Sequence, residues 1–291
     1  MEKGPLSELL VERFETMPPQ LQVAARFVLD HPQDVALMSM REQANQAGVS
    51  HSTMMRLARW LGLDGYEDMR SLYARALRER GVGEVGRSGS SPQQDPDYPA
   101  AGIAADTLAA QIASLGEYGS AMQFLAAAKL IAGSKTIFGL GFGSSRSVVS
   151  HFVQTVSPLL DEGRKAMFVA DSHGAGAEAL LDAGAGDVVL AVGFAPYERA
   201  TIDFARQCAS QGAAILAITD SSVSPLARMA RETIVVTSNS SSFFPSMVPA
   251  FAAVEILVAL AAPLGDVDAA EKLKQSQEQL AAFGVYWKAA R

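Results

Sequence analysis

The chain has 291 residues, 49% hydrophobic and 19% charged, with a formal net charge of −7; that length suffices for two domains with proper hydrophobic cores. Its single cysteine, Cys208, excludes an internal disulfide framework and a multi-cysteine zinc site, suits a reducing compartment, and reads as a small buried apolar residue. The opening MEKGPLSELLVERFETMPPQ mixes acids and bases from its second residue, without the basic start and apolar core of an export signal, so a cytoplasmic location is expected.

Residues 1–80 read as helical throughout. One helix is expected over residues 6–16, a second over residues 20–29 with Leu21, Ala24, Ala25 and Val28 on one face, and three further short helices after it. This part is not broadly basic, holding 10 Lys or Arg against 11 Asp or Glu. From His51 to Arg80, however, six arginines (56, 59, 70, 75, 78 and 80) face four acids (Asp64, Glu67, Asp68, Glu79), so positive charge collects there as a candidate phosphate-facing patch.

Within this part lies QAGVSHSTMMRLARWLG, residues 46–62, whose spacing fits two helices joined by a tight turn. Gly48 supplies the positive φ, Val49 plugs the space between the helices, and Ser50 is the N-cap, accepting from the backbone N–H of Ser52 or Thr53. A helix then begins at His51. Met55, Ala58 and Leu61 are expected to face the core, with His51, Ser52, Thr53 and Arg56 on or near the outward leading edge and Arg59 further along. Those are groove-reading and phosphate-contacting types. On spacing alone, an ordinary helical hairpin with a solvated polar face fits as well.

The span from MPPQLQVAARFVLDHPQ through SMREQANQAGVS and STMMRLARWLGLDGY to EDMRSL resembles the N-terminal domain of the RpiR/MurR family of bacterial transcriptional regulators over about 55 positions. The resemblance implies a helix-turn-helix DNA reader and carries the groove-reading segment onto Ser50, Ser52, Thr53, Met54 and Arg56.

GVGEVGRSGSSPQQDPDYPA, residues 81–100, replaces apolar periodicity with Gly, Ser and Pro and is expected to be a linker. The expected domains are therefore 1–80 and 101–291. Two alanine-rich helices, about residues 104–115 and 120–132, precede an alternation of helices with the short runs KTIFGL, KAMFVA, DVVLAVGF, AAILAITD and TIVVTS. That alternation predicts a doubly wound α/β parallel sheet covered on both faces. The run from Ser246 to Gly265 is apolar, but Glu255 interrupts it and prolines at 249 and 263 bracket it, which predicts a buried helix rather than a membrane span.

This second part is similar to a SIS domain, the sugar-phosphate-binding module that follows the reader in that family. GFGSSRS, directly after the first strand, fits the pattern G-x-G-x-S with Ser145 as its serine: Gly141 and Gly143 allow close backbone approach, and Ser144 and Ser145 offer hydroxyls to an anion at a helix N-terminus. The next element departs from the pattern. Where most sugar-phosphate SIS domains have S-x-S-G-x-T after the central strand, Gly193 and Ala195 replace the two serines and Pro196 the glycine, removing two hydroxyls and one N–H. Tyr197 follows, giving an A-P-Y variant that reads as a subgroup feature of RpiR-like regulators. Arg199 is the candidate replacement for the lost donors, and the ligand need not be a simple sugar phosphate. A third loop brings Thr219, Asp220, Ser221 and Ser222 toward the mouth of the site, and Ser238, Ser241 and Ser242 are candidates for a fourth wall.

A SIS isomerase needs a base beside a carbonyl, for which His151, His173 and Glu255 are the candidates. Each has a plainer reading, His151 as a packing or interface histidine, His173 as exposed, and Glu255 as a partner in a subunit-interface ion pair or hydrogen bond. The reading that unites both parts is a non-enzymatic, ligand-responsive transcription factor without cofactor, metal or membrane contact. Its partners are operator DNA, a sugar phosphate, sugar acid or similar effector, and further copies of itself as a dimer or tetramer through FAAVEILVAL and AAEKLKQSQEQLAAF or the neighbouring helices of the second part. The alternatives are a SIS-fold sugar-phosphate isomerase and a sugar-phosphate-binding regulator of another protein.

Overall fold

The computed structural model describes residues 5–79, 100–161, 163–169, 175–240, 244–265, 268–285 and 287. Two compact units result, Met1–Gly102 with Ser221–Val223, and Ile103–Asp220 with Ser224–Arg291. The expected linker, apart from Ala100, lies outside the described residues, as do His173, Ser241 and Ser242.

The first unit holds α1 (Pro5–Arg13), which runs into a 3-10 turn at Phe14–Thr16, then α2 (Pro19–Asp30), α3 (Pro32–Leu37), α4 (Met40–Gln46), α5 (His51–Trp60) and α6 (Tyr66–Glu79). Four helices follow α2 rather than three, because Pro32 is accommodated at the first turn of the short α3. The expected face of α2 is buried at Leu21, Ala24, Ala25 and Val28. It packs with Leu10, Phe14, Ala44, Met54, Leu57 and Met69 in one core.

At the centre of this unit Gln43 is wholly buried. Its Nε2 donates toward the carbonyls of Asp34, Val35 and Met38 at 3.2, 3.1 and 3.1 Å, and its Oε1 accepts from the Tyr66 hydroxyl. One side chain thereby satisfies the C-terminal carbonyls of α3 and ties α4 to α6. Burial raises the Tyr66 phenol above its ordinary pKa, keeping it a donor.

The second unit begins with α7 (Ala100–Ser114) and α8 (Tyr118–Ala132) and continues as β1 (Thr136–Leu140), α9 (Ser145–Val156), β2 (Lys165–Val169), α10 (Ala175–Ala179), β3 (Val188–Gly193), α11 (Arg199–Ser210), β4 (Ala214–Thr219), β5 (Glu232–Val235), α12 (Val248–Ala261) and α13 (Ala269–Ala282). The five strands match the five expected runs, and all are parallel in the order β2-β1-β3-β4-β5. Alternation along β3 covers both faces. Val188, Leu190 and Val192 pack with α8, α9 and α12, whereas Val189 and Ala191 pack with α10 and α11. Strand order reverses between β1 and β3, which places the turns after those two strands at the switch point.

Cys208 is wholly buried on the α11 side, its thiol pushed up to about 11 by burial, in keeping with a packing role. Among the described residues no helix is long and apolar enough to cross a membrane. The apolar run near the C-terminus is α12, which buries Ala250, Ala253, Val254 and Leu257 but leaves the Glu255 side chain 62% exposed.

Candidate DNA-reading helix and effector site

The link from α4 to α5 is fixed by local hydrogen bonds. Ser39 and Glu42 form a reciprocal capping box that starts α4, and those bonds, to the Ser39 hydroxyl and then to its backbone N–H, hold the Glu42 carboxyl below the ordinary range. Gly48 turns the chain at φ +66°. Ser50 then caps α5, its Oγ accepting from the Thr53 N–H at 3.2 Å and lying 2.7 Å from Ser52 Oγ and 2.9 Å from Thr53 Oγ1.

Ser50, His51, Ser52, Arg56 and Arg59 are exposed along one side of α5. Three expectations for this helix need correction. Met54 is wholly buried with Leu57 and Ala58, so it serves the core and presents nothing to a groove; Met55, expected inside, is only half-buried. The inward stripe therefore runs through residues 54, 57, 58 and 61, one position earlier at its start than the spacing from Met55 suggests. Thr53 is also buried, with its hydroxyl in the cap.

At the carboxyl end of β1, the chain passes through Gly141, where a Cβ would come within 2.9 Å of Val149 Cγ2 and 3.0 Å of the Val192 carbonyl oxygen. It turns at Gly143, φ +57°, and enters α9 through Ser144, which is exposed, and Ser145, which is buried. Beside it, after β3, the Ala195 N–H donates to Asp220 Oδ2 at 3.1 Å, and the Tyr197 hydroxyl donates to Asp220 Oδ1 at 2.6 Å. The Thr219 hydroxyl donates to the same Oδ1 at 3.3 Å. Asp220 thus brackets the altered loop from the end of β4.

Other expected site residues are not in that arrangement. Arg199 does not replace the missing serines: its side chain is 93% exposed and its Nε donates to Asp203 Oδ2 at 3.2 Å, the next turn of the same helix offering the nearer anion. Ser221, two residues past β4, is wholly buried, its hydroxyl accepting from the Val223 N–H. Sequence reasoning passed over two residues that matter here. Glu198 puts Oε1 3.5 Å from a Cβ built on Gly143, and Leu226 puts Cδ1 3.0 Å from a Cβ built on Gly193. The signal available for the first was its place as the residue before α11, the usual seat of a capping or ligand-facing side chain.

His151 and Glu255 meet each other. His151 Nε2 lies 2.5 Å from Glu255 Oε1, joining α9 to α12, and the imidazole sits 5.5 Å from the Phe251 ring. Glu255 is thus partnered within its own chain while its side chain stays exposed.

A short helical unit with an exposed polar edge on the capped helix after the Gly48 turn, followed by a doubly wound parallel sheet with glycine turns at its switch point, is an architecture suited to a ligand-responsive transcription regulator. The helix-turn-helix domain model of the rpiR family matches residues 6–79, and the SIS domain model matches residues 130–260. The chain belongs to the RpiR family of transcriptional regulators, with a DNA-binding helix-turn-helix and a SIS domain of the kind that senses carbohydrate derivatives. No curated protein matches its sequence. Among solved structures, the NanR protein of Vibrio vulnificus complexed with ManNAc-6P is similar over 96% of this chain and 98% of its own, at 19% identity and a TM-score of 0.57. The sugar isomerase domain of an RpiR transcription factor from Sphaerobacter thermophilus is similar over 62% of this chain and 98% of its own, at 21% identity and a TM-score of 0.55. These likenesses support the fold.

Proposed function

We propose that the chain is a cytoplasmic, non-enzymatic regulator that reads an operator through the exposed edge of α5 and takes a carbohydrate-derived effector at the carboxyl ends of β1, β3 and β4. Ser50, His51, Ser52 and Arg56 face the groove, and Arg59 reaches phosphate. The observation that carries the reading is the run of exposed polar residues on a helix whose other side is locked into the core by Met54, Leu57 and Ala58. The non-enzymatic reading is supported by the helix-turn-helix domain carried on the same chain as the SIS domain. Backbone amides around Gly143, with Ser144 and Ser145, form one side of the effector site, and Thr219, Asp220 and Tyr197 the other. Exposed Leu273, Leu280 and Phe283 on and after α13 favour assembly of two chains, so that two readers meet two half-sites.

The test is selection of duplexes from a genomic fragment library by the full chain, followed by titration with Arg56→Ala. Arg56→Ala should cost about 1 to 3 kcal/mol on the selected duplex and less on random duplex if the guanidinium reads a base. No enrichment of any sequence by the intact protein, or unchanged affinity in Arg56→Ala, defeats this assignment.

A further inference from the structure

A phosphate ester carries roughly two negative charges near neutral pH, and a site with few hydroxyls holds it best with a fixed cation. The loop after β3 offers little to such a group. Gly193 and Ala195 bring no hydroxyl, the Ala195 N–H and the Tyr197 hydroxyl are bonded to Asp220, and Arg199 is bonded to Asp203. Two carboxylates also lie on that side: Asp220, one residue past β4, and Glu198, whose Oε1 stands 3.5 Å from the Cβ position of Gly143. An anion resting on the Gly143 turn therefore needs a cation from another element.

The first turn of α9 supplies one. Arg146 is exposed there, and its backbone N–H donates to the Gly143 carbonyl at 3.3 Å. Its guanidinium is not left to solvent alone, since Cζ lies 5.7 Å from the centroid of the Phe168 ring. Phe168 is the penultimate residue of β2 and stands in register with Gly139 of β1, so the ring sits at the carboxyl edge of the sheet, beside the β1 turn. A ring face steadies a guanidinium without consuming its N–H groups, and the fork stays available for paired bonds to an oxyanion. Among the described residues Arg146 has no carboxylate partner, whereas Arg164, Arg199 and Arg206 each pair with an aspartate.

A separate observation marks the neighbouring position as open. Ser145 is 5% exposed, and its hydroxyl has no hydrogen-bond partner among the described residues. Beside it α9 starts without a side-chain cap and without an acid in its first turn. A nearly buried hydroxyl at such a helix start is completed by an anion. We infer that Arg146, steadied by Phe168, selects a phosphate ester for the effector site, its guanidinium gripping the phosphate from α9 while Ser145 and the turn amides hold it from the end of β1. The inference rests on the effector site proposed above, and it assigns to α9 the positive charge that the altered β3 loop lacks.

The experiment is calorimetric titration of the full chain with inorganic phosphate, hexoses, hexose 6-phosphates and hexuronates, for wild type, Arg146→Gln, Arg146→Lys, Phe168→Leu and Ser145→Ala. Wild type should bind the best 6-phosphate on the order of tenfold more tightly than its parent hexose, and Arg146→Gln should remove that advantage while leaving hexose affinity as it was. Arg146→Lys should recover only part of it, because an ammonium is a point charge and not a fork, and Phe168→Leu should weaken 6-phosphate binding less than Arg146→Gln does. Equal 6-phosphate affinity in wild type and Arg146→Gln overturns the inference, as does equal loss for hexose and 6-phosphate, which would make Arg146 a structural residue. Preference for hexuronates over 6-phosphates overturns the choice of head group, and binding of no probe overturns the inference together with the site. Where a probe binds, Ser145→Ala separates the two readings. If it weakens the titration, the effector site stands and only the role of Arg146 falls; if neither Ser145→Ala nor Arg146→Gln changes it, the site itself is elsewhere.

Discussion

The link between α4 and α5 and the loop after β3 are both short connections, one beside the proposed reading edge and one beside the proposed effector site, and they are determined in opposite ways. In the first, Ser39, Glu42, Ser50 and Thr53 bond to neighbours three residues away. In the second, what the loop can hold is set by residues from other elements: Leu226 against Gly193, Glu198 against Gly143, and Asp220 against Ala195, 25 positions apart. A locally bonded turn tolerates change around it, whereas a loop shaped by distant side chains changes its chemistry whenever one of them does.

The largest expected effect tests the local side of this contrast. Met54 is wholly buried among Leu57 and the helices around it, so Met54→Ala should destabilise the chain by about 2 to 5 kcal/mol in denaturant unfolding. Met54→Leu conserves volume and should cost less than about 1.5 kcal/mol while leaving operator affinity intact. A drop in operator affinity for a stable Met54→Leu protein would return this side chain to the groove.

Next is the restored serine. Gly193→Ser puts a Cβ 3.0 Å from Leu226 Cδ1 and overpacks the site, with an expected cost of about 1 to 3 kcal/mol. The cost should shrink when measured in a Leu226→Ala background, as a double-mutant cycle resolves for residues in contact. Equal cost in both backgrounds would mean that Leu226 does not shape this loop.

The same contrast explains what the residues disclosed in advance. The five strands were legible because each is a short β-branched run bounded by turns, and the face of α2 because Leu21, Ala24, Ala25 and Val28 repeat at helical spacing. The Ser50 cap and the Gly48 turn were legible for the same reason, since their partners are adjacent. Met54 and Met55 are chemically identical neighbours, and only packing decides which goes inward. Arg199, Glu198 and Glu255 were illegible because each charge chose among partners, and the choice depended on which helix or strand end lay beside it.

A smaller effect sharpens the reader. Ser50→Ala removes the acceptor for the Thr53 N–H and should cost about 1 kcal/mol of stability. Ser50→Asp retains an acceptor and should hold that stability, yet place a negative charge at the end of α5 proposed to meet DNA and so weaken duplex binding. If Ser50→Asp binds duplex as wild type does, the N-terminus of α5 is not at the interface.

The smallest effect is a matter of pH. Glu42 accepts from the Ser39 hydroxyl and backbone N–H, and both bonds favour the ionised form, so its folded pKa lies below the 4.5 of an unperturbed glutamate. A depressed carboxyl contributes stability that is present above its unfolded pKa and disappears as pH falls through the folded value. Glu42→Gln should therefore be less stable than wild type near neutral pH, with the gap closing below the ordinary glutamate range. Because the box is local and exposed, the change should leave Gln43 and the core of the first unit unaltered, and unfolding curves of the two proteins should converge in acid. A gap that persists unchanged at low pH would show that the bonds to Ser39 do not depend on the charge, and the start of α4 would then owe its position to packing.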